Sequence, residues 1–280
     1  MRNRVAVSDR MDGGYGSISE LITPNTTEAA QVLQLTGQQK WYLYYDYWAE
    51  GKYAVMESTD MVNWSKELKQ DDIRFPYQRR HASFFPVSEE ELFKLINHFS
   101  LLARYRMDDS CGKLLKEGAA NEDFLQESYS LRTVSFWMKA EQTDGTQVLY
   151  DEGSDTTGLA IQFAKGRLQA ATADGGKNAV VSAKIKDPGI WHHVAAVFSE
   201  GSLKLYVDGK LNDTVKTGFQ KVDAHLGEGG FGRRFDKDAF GGSGEGADFR
   251  GVLSEAAIYN TPLQDADVAY LYKEEVKKMR

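Results

Sequence analysis

One cysteine, Cys111, stands among the 280 residues. That excludes an internal disulfide framework and any two-thiol metal motif, and leaves the thiol as a small packed side chain. Positive charge is also in deficit: 34 lysines and arginines against 41 aspartates and glutamates give a net charge of -7. Without a basic stripe to displace counterions, nucleic acid is not an expected partner. No apolar run approaches the ~20 residues of a transmembrane helix, so a membrane partner is not expected either. The N-terminal MRNRVAVSDRMDG reads as a strand and a turn and lacks the long apolar core of a signal peptide. A signal encoded further upstream would leave no trace in it.

What is present is apolar and aromatic. Hydrophobic residues make up 41% and aromatics 12%, enough for two cores of ordinary size. From Thr27 to Val87, short runs rich in Val, Tyr, Trp and Phe alternate with turn residues, the pattern of a four-stranded antiparallel sheet. The spacing predicts strands at Gln31–Leu35, Trp41–Tyr47, Tyr53–Ser58 and Asn63–Leu68, with a fresh one at Ala82–Val87. VAVSDRMDGGYGS at Val5–Ser17 repeats the strand, the Ser/Asp turn and the aromatic of AVMESTDMVNW at Ala54–Trp64. Four-stranded repeats of about 40–50 residues are blades of a β-propeller, and a closed ring takes about four to eight of them. Residues 1–98 have room for roughly two. The expectation is therefore the C-terminal fragment of a propeller, completed by missing upstream blades or by self-association through exposed blade faces. Limited proteolysis is then expected to leave a core starting between residues 97 and 105.

Residues 99–280 change rhythm. Strands are predicted at Leu101–Arg106, Arg132–Ala140, Gln147–Glu152, Gly158–Ala164, Arg167–Ala173, Val180–Lys184, Trp191–Ser199, Ser202–Val207, Lys210–Lys216 and Gly251–Tyr259. Asp144-Gly145, Lys165-Gly166, Glu200-Gly201 and Asp208-Gly209 sit between alternating apolar runs, the chemistry of tight hairpin loops. Strands this closely spaced, with no helices between them, predict an all-β sandwich or jelly roll. An amphipathic helix near Gln264–Lys278 closes the chain, with Val268, Leu271 and Tyr272 on one face.

Two resemblances sharpen this. SFWMKA (Ser135–Ala140), WHHVAAVFSEGSLKLYVDGKL (Trp191–Leu211) and FRGVLSEAAIYNTPLQDADVAYLY (Phe249–Tyr272) resemble, in order, segments of the laminin-G-like, concanavalin A-like jelly roll. That fold hosts sugar binders, protein binders and spacers, so it does not choose a function. The first unit resembles the C-terminal end of glycoside hydrolase family 43, the five-bladed propellers of β-xylosidases, arabinofuranosidases and arabinanases. The carrying residues are Thr27-Glu28-Ala29-Ala30, Lys40-Trp41-Tyr42-Leu43-Tyr44-Tyr45-Asp46, Tyr53, Ser58-Thr59-Asp60 with Trp64, and Arg80-His81. The sequence departs from the family at Ala29-Ala30, where a Gly-Pro follows the glutamate, and at Ala82, where a glycine follows the histidine.

This resemblance implies that Glu28 is the general acid of an inverting glycosidase. Arg80 and His81 would bind substrate, with His81 near the propeller axis and able to hold an axial ion or water, and Trp48 would line the mouth. A plant-type polysaccharide or oligosaccharide containing pentoses is the implied partner, and a secreted or periplasmic location the implied setting. Apart from the family, Glu28 and His81 lie about one blade repeat apart, which places both at the mouth of adjacent blades. The family's base and its third aspartate lie on the first two blades, absent here, and Asp9, Asp12, Asp46 and Asp60 read as turn or outer-strand residues. The chain is expected to be inactive by itself.

Two other groups invite a metal. His192 and His193 are adjacent in a strand and point to opposite faces, so one is expected inward and hydrogen-bonded, the other outward. The loop FGRRFDKDAFGGSGEGADF offers Asp236, Asp238, Glu245 and Asp248, in a spacing that matches no defined calcium loop, and a solvated loop is the simpler reading. No cofactor is required for the expected hydrolysis, and calcium is the one ion for which that loop offers ligands. The leading expectation is a family 43-like glycoside hydrolase portion with an appended carbohydrate-binding-type jelly roll. The alternative is a non-catalytic carbohydrate-binding or scaffold jelly-roll protein with a vestigial propeller segment.

Overall fold

The computed structural model describes residues 2–10, 12–68, 84, 86–108, 113–117, 122–243 and 247–279. Two compact units, Met1–Ser88 and Glu89–Arg280, make up the chain. The division falls in front of a helix, earlier than the composition change near residue 98.

In the first unit, β1 (Thr27–Gln34), β2 (Trp41–Tyr47) and β3 (Lys52–Ser58) form one antiparallel sheet in that order. Alternation along β2 sends Leu43, Tyr45 and Tyr47 to one face, where they pack with Met56, Ile22, Ala30, Ala54 and Trp64. The expected fourth strand, Asn63–Leu68, is irregular: it touches β3 through Ser65 N–H to Glu57 O and Leu68 N–H to Val55 O, both 2.9 Å. Its first residues are spent closing the turn. Asp60 Oδ1 accepts from the amides of Val62 at 2.8 Å and Asn63 at 2.7 Å, and Oδ2 from Asn63 Nδ2 at 2.8 Å. These donors hold the Asp60 carboxyl well below the usual carboxylate range. The Ser-x-Asp…Trp signature is thus a turn staple with a core tryptophan.

Val5–Ser17 is not a blade strand either. Gly16 N–H to Val7 O at 2.9 Å, Ser19 N–H to Val5 O at 2.8 Å and Ile22 N–H to Asn3 O at 3.1 Å fold it back on itself as an irregular hairpin. The strand expected at Ala82–Val87 lies partly outside the described residues, and Arg80, His81 and Cys111 wholly outside. Phe84 is described, and its ring stacks on Tyr44 at 4.3 Å. The described residues of this unit form one three-stranded sheet, where the repeat predicted a four-stranded blade and part of another.

The second unit opens with α1 (Glu89–Ser100) and continues through β4 (Leu101–Asp108), β5 (Lys113–Glu117), β6 (Leu131–Ala140) and β7 (Gln147–Gly153). Then follow β8 (Gly158–Ala164), β9 (Arg167–Asp174), β10 (Lys177–Ala183), β11 (His192–Ser199), β12 (Ser202–Val207) and β13 (Lys210–Lys216). β14 (Gly229–Phe231), β15 (Gly251–Tyr259) and α2 (Asp265–Glu275) complete it. A five-stranded sheet, β10-β9-β8-β7-β14, faces a seven-stranded sheet, β13-β12-β11-β6-β15-β4-β5. Every strand predicted for this unit is present; α1, β5 and β14 were not anticipated. Lys165-Gly166, Glu200-Gly201 and Asp208-Gly209 each take the two positive φ angles of a type I′ turn. Asp144-Gly145 differs: it lies in a longer connection, and only the glycine has positive φ.

Phe136 and Met138 of β6, Ile161 and Phe163 of β8 and Val194 and Phe198 of β11 meet between the sheets. Each such side chain, fully buried, contributes about 1.5–3 kcal/mol. The outer face of the seven-stranded sheet carries a second cluster, in which Ala195, Val197, Tyr206 and Tyr259 lie under Val268 and Leu271 of α2 and Phe93 and Ile96 of α1. Among the described residues, no helix is long and apolar enough to cross a membrane.

Candidate functional site

β1 begins with a backbone that few sequences adopt without help. Thr26 and Ala29 have φ of 66° and 51°, in the left-handed region that costs roughly 1–2 kcal/mol for a residue with a Cβ. Between them, Thr27 is fully buried and its hydroxyl is anchored: it meets Thr23 Oγ1 at 2.7 Å and donates to Pro24 O at 3.0 Å. The register then slips between Glu28 and Gln31. This is a bulge of the kind whose first position favours glycine. Ala29 holds that conformation where the resembling family has its glycine, so the backbone around Glu28 is kept at a local cost in strain.

The bulge fixes where Glu28 lies. It is the register partner of Asp46 in β2, and Asp46 is the partner of Tyr53 in β3. Glu28, Asp46 and Tyr53 therefore form a row across all three strands, on the face opposite the Leu43–Tyr45–Tyr47 core. Glu28 is half-buried and Asp46 is 1% exposed. Directly opposed residues have Cβ atoms about 4.5–5.5 Å apart. Two carboxyl-bearing side chains thus share one face of the sheet, a pairing the sequence did not reveal: Asp46, between Tyr45 and Tyr47, read as an outer-strand residue. Trp48, 45% exposed, follows Tyr47, the register partner of Thr27, and so stands at the same end of the sheet as Glu28. On the core face, the Tyr45 hydroxyl donates to Glu67 Oε1 at 2.6 Å, and Tyr47 donates to the same oxygen. Burial beside that carboxylate pushes both phenols up.

In the second unit the histidines are structural. His192 uses both ring nitrogens, Nδ1 against Asp208 Oδ2 at 2.8 Å and Nε2 against Asp187 O at 2.7 Å, and the Asp208 carboxylate raises its pKa. His193 points to the opposite face, but that face is covered by α2: His193 is fully buried, with Nε2 at 2.9 Å from Ser135 Oγ. Burial lowers it to about 4. The outward histidine is therefore not solvated.

Asp236 is exposed, whereas Asp238 is buried. Asp238 Oδ2 accepts from Arg234 Nε at 2.5 Å, and Oδ1 accepts from the amides of Phe240 at 3.0 Å and Gly242 at 2.9 Å. This staple lays Ala239 and Phe240 over Ala160, Ala171 and Ala173 on the outer face of the five-stranded sheet. Asp248 is exposed and Glu245 lies outside the described residues. Among the described residues, no three His, Cys, Asp or Glu side chains converge as metal ligands.

Residues 119–269 match the family model described as the concanavalin A-like lectin/glucanases superfamily, and the chain belongs to that superfamily. Residues 6–92 match a second model, a family 43-related domain described as "Probable glycosyl hydrolase domain". Together the two matches support a carbohydrate-related function. No curated protein matches the chain. Among solved structures, the ligand binding domain of botulinum neurotoxin serotype D, in complex with N-acetylneuraminic acid, is 16% identical, with a TM-score of 0.50. That match covers 66% of this chain and 53% of the other. A native heptameric SAP-like pentraxin from Limulus polyphemus is 22% identical, with a TM-score of 0.42 over 52% of this chain and 71% of the pentraxin. The chain thus spans only about half of the neurotoxin domain. At such identities the likeness to the neurotoxin domain concerns the fold alone.

Proposed function

We propose that the chain is the C-terminal portion of an inverting, family 43-like glycoside hydrolase acting on pentose-containing polysaccharides, with a carbohydrate-binding-type jelly roll appended. Glu28 is the general acid that protonates the leaving-group oxygen. Trp48, Arg80 and His81 bind substrate, and the activating base comes from blades outside this chain. The observation that carries this reading is the strained, anchored bulge that sets Glu28 on one face with Asp46. Backbone strain and bulges of this kind concentrate where a side chain must be aimed.

The test is made in a chain extended upstream to a closed ring. Glu28→Gln is expected to collapse hydrolysis of glycosides with poor leaving groups and to spare those with acidic phenols, which need little protonation to depart. Arg80→Ala and His81→Ala lower both substrate types alike. Equal losses on both types for Glu28→Gln would remove it from the acid role.

A further inference from the structure

We propose that α2 is a proton-controlled clasp: its N-terminal end stays fixed to the seven-stranded sheet, while its last turn, residues 272–275, is released once Glu275 loses its proton, uncovering the Trp137 indole. The inference concerns the second unit alone and does not depend on the role of Glu28.

The helix carries the device in its own pattern. Val268, Leu271, Tyr272 and Glu275 follow the i, i+3, i+4, i+7 spacing of a helix face that packs on a core. Three of the four are apolar or aromatic, and the last brings a carboxyl group into the same face. Val268, Leu271 and Glu275 are all buried.

The two ends are held differently. At the N-terminal end, Asp265 Oδ1 accepts from the Tyr206 hydroxyl at 2.7 Å and from Lys204 Nζ at 3.2 Å. Both donors hold the Asp265 carboxyl below its ordinary value, so it stays charged from pH 5 upwards. Just before the helix, Thr133 Oγ1 of β6 donates to Thr261 O at 2.7 Å and accepts from the amide of Leu263 at 3.0 Å. These anchors do not titrate between pH 5 and pH 8. At the C-terminal end the polar anchor is Glu275 Oε2, which accepts from Trp137 Nε1 at 2.8 Å. Tyr272 stacks on the same indole and lies against the Asp208-Gly209 turn, where a Cβ on Gly209 would come within 3.1 Å of it.

The surroundings make that proton decisive. Burial is the strongest influence on Glu275 and lifts its carboxyl from the ordinary 4.5 to about 7. Glu255 of β15 adds a like charge, while the Trp137 N–H, Arg104 of β4 and Lys278 favour the carboxylate. Arg104 is already engaged: its Nη2 donates to Asn97 Oδ1 of α1 at 3.0 Å and to the Tyr259 hydroxyl at 3.1 Å. Lys278 Nζ lies 3.9 Å from Glu255. Burial raises the Tyr259 phenol and lowers His193, which faces Trp137 and Tyr272, to about 4, so both are neutral between pH 5 and pH 8. Glu255 is aimed by its backbone. The register of β15 slips between Ser254 and Ala257, and Glu255 takes a φ of 47°, a strained bulge of the kind that directs a side chain. An ionised Glu275 is thus better solvated off the sheet than on it. Because the docked carboxyl holds its proton more firmly, the clasp is tightest below about pH 4.5, loosens as pH rises to about 7 and changes no further above that.

The test is hydrogen exchange in the full chain from pH 5 to pH 8, corrected for the pH dependence of exchange in free amides and indoles. At pH 7 the Trp137 indole N–H is expected to open at least about tenfold more often than the amide of Val268, which donates to Gln264 O near the fixed end. Opening at the indole rises at least about tenfold from pH 5 to pH 7 and levels off above. Glu275→Gln, which keeps an oxygen for the indole, holds opening near its pH 5 level throughout, and circular dichroism confirms an unchanged fold. The proposal is overturned if the indole and Val268 open equally often, since the last turn then leaves only with the whole helix. A flat profile in the parent protein, or a rise that survives in Glu275→Gln, overturns it as well.

Discussion

The indole N–H of Trp137 donates to Oε2 of Glu275 at 2.8 Å, joining the middle of β6 to the last turn of α2. Tyr272, one turn earlier, stacks on the same indole at 5.6 Å. Glu275 is 5% exposed, and burial pushes its carboxyl up to about 7. Asp151, fully buried on β7, is likewise pushed up to about 7 by burial, against the amide of Phe235 that donates to it at 3.1 Å.

These two carboxyls make stability depend on pH with a definite sign. Their folded values lie above the ordinary 4.5 and 3.8, so the folded state holds protons that the unfolded chain releases. Their contribution is fullest below about pH 4, falls as pH rises towards 7, and is constant above that. Glu275→Gln and Asp151→Asn keep the hydrogen-bonding oxygen and remove the titration. Each is expected to stabilise the protein by about 1–2 kcal/mol at pH 8 and to make little difference at pH 4. Thermal melts across pH 4–8 check this; variant and parent profiles that stay parallel would refute it.

Ala29→Gly should stabilise the first unit by about 0.5–1 kcal/mol, because glycine takes the positive φ of the bulge without the Cβ clash. Ala29→Val should destabilise it. Denaturant unfolding followed by tryptophan fluorescence reads both; an Ala29→Gly variant weaker than the parent would show that the bulge is not strained.

Breaking the buried ion pair from one side is expected to be costly. Glu152→Ala strands the Arg132 guanidinium, 3% exposed, between the sheets, and should lower stability by about 3–5 kcal/mol. Replacing both residues together, as Arg132→Met/Glu152→Leu, should recover most of that loss. Urea titration of the three variants decides.

Limited proteolysis should leave a resistant fragment beginning near Glu89, since Phe93 and Ile96 of α1 pack into the outer-face cluster with Val268 and Leu271. This start precedes the 97–105 window that the strand pattern alone implies. Mass spectrometry of the resistant fragment locates its first residue, and a start beyond Ser100 would mean that α1 is not part of the second core.

The chain alone is expected to leave aryl xylosides and arabinosides unhydrolysed above background, because acid and base act in the same transition state. Turnover by a pure preparation that Asp46→Asn abolishes would identify Asp46 as the base, from its place opposite Glu28.

The sequence by itself determined most of the second unit. Its strands read as short apolar runs bounded by turn residues, and Lys165-Gly166, Glu200-Gly201 and Asp208-Gly209 supply the positive φ that fixes hairpin register. Period and turn chemistry are local, so they can be read along the chain. Where they are weak, the reading failed. β14 is only Gly229–Phe231, without a period to detect, and α1, with its acidic first turn, lies across the end of the expected propeller segment. Asn63–Leu68 takes its place in the expected blade from the repeat, yet only Trp64 among its residues favours a strand, and the hydrogen bonds of Asp60 hold its start in a turn.

Only the tertiary structure decided the rest, because it depends on which distant residues meet. His193 alternates outward yet is buried, since α2 returns from the end of the chain to cover it. Asp238 lies in an acidic loop, but Arg234 and two backbone amides occupy its oxygens. The pairing of Glu28 with Asp46 comes from a bulge whose register no composition or spacing encodes. The Arg132–Glu152 pair joins strands of different sheets, and a sequence shows neither which sheet a strand joins nor which charges are buried together.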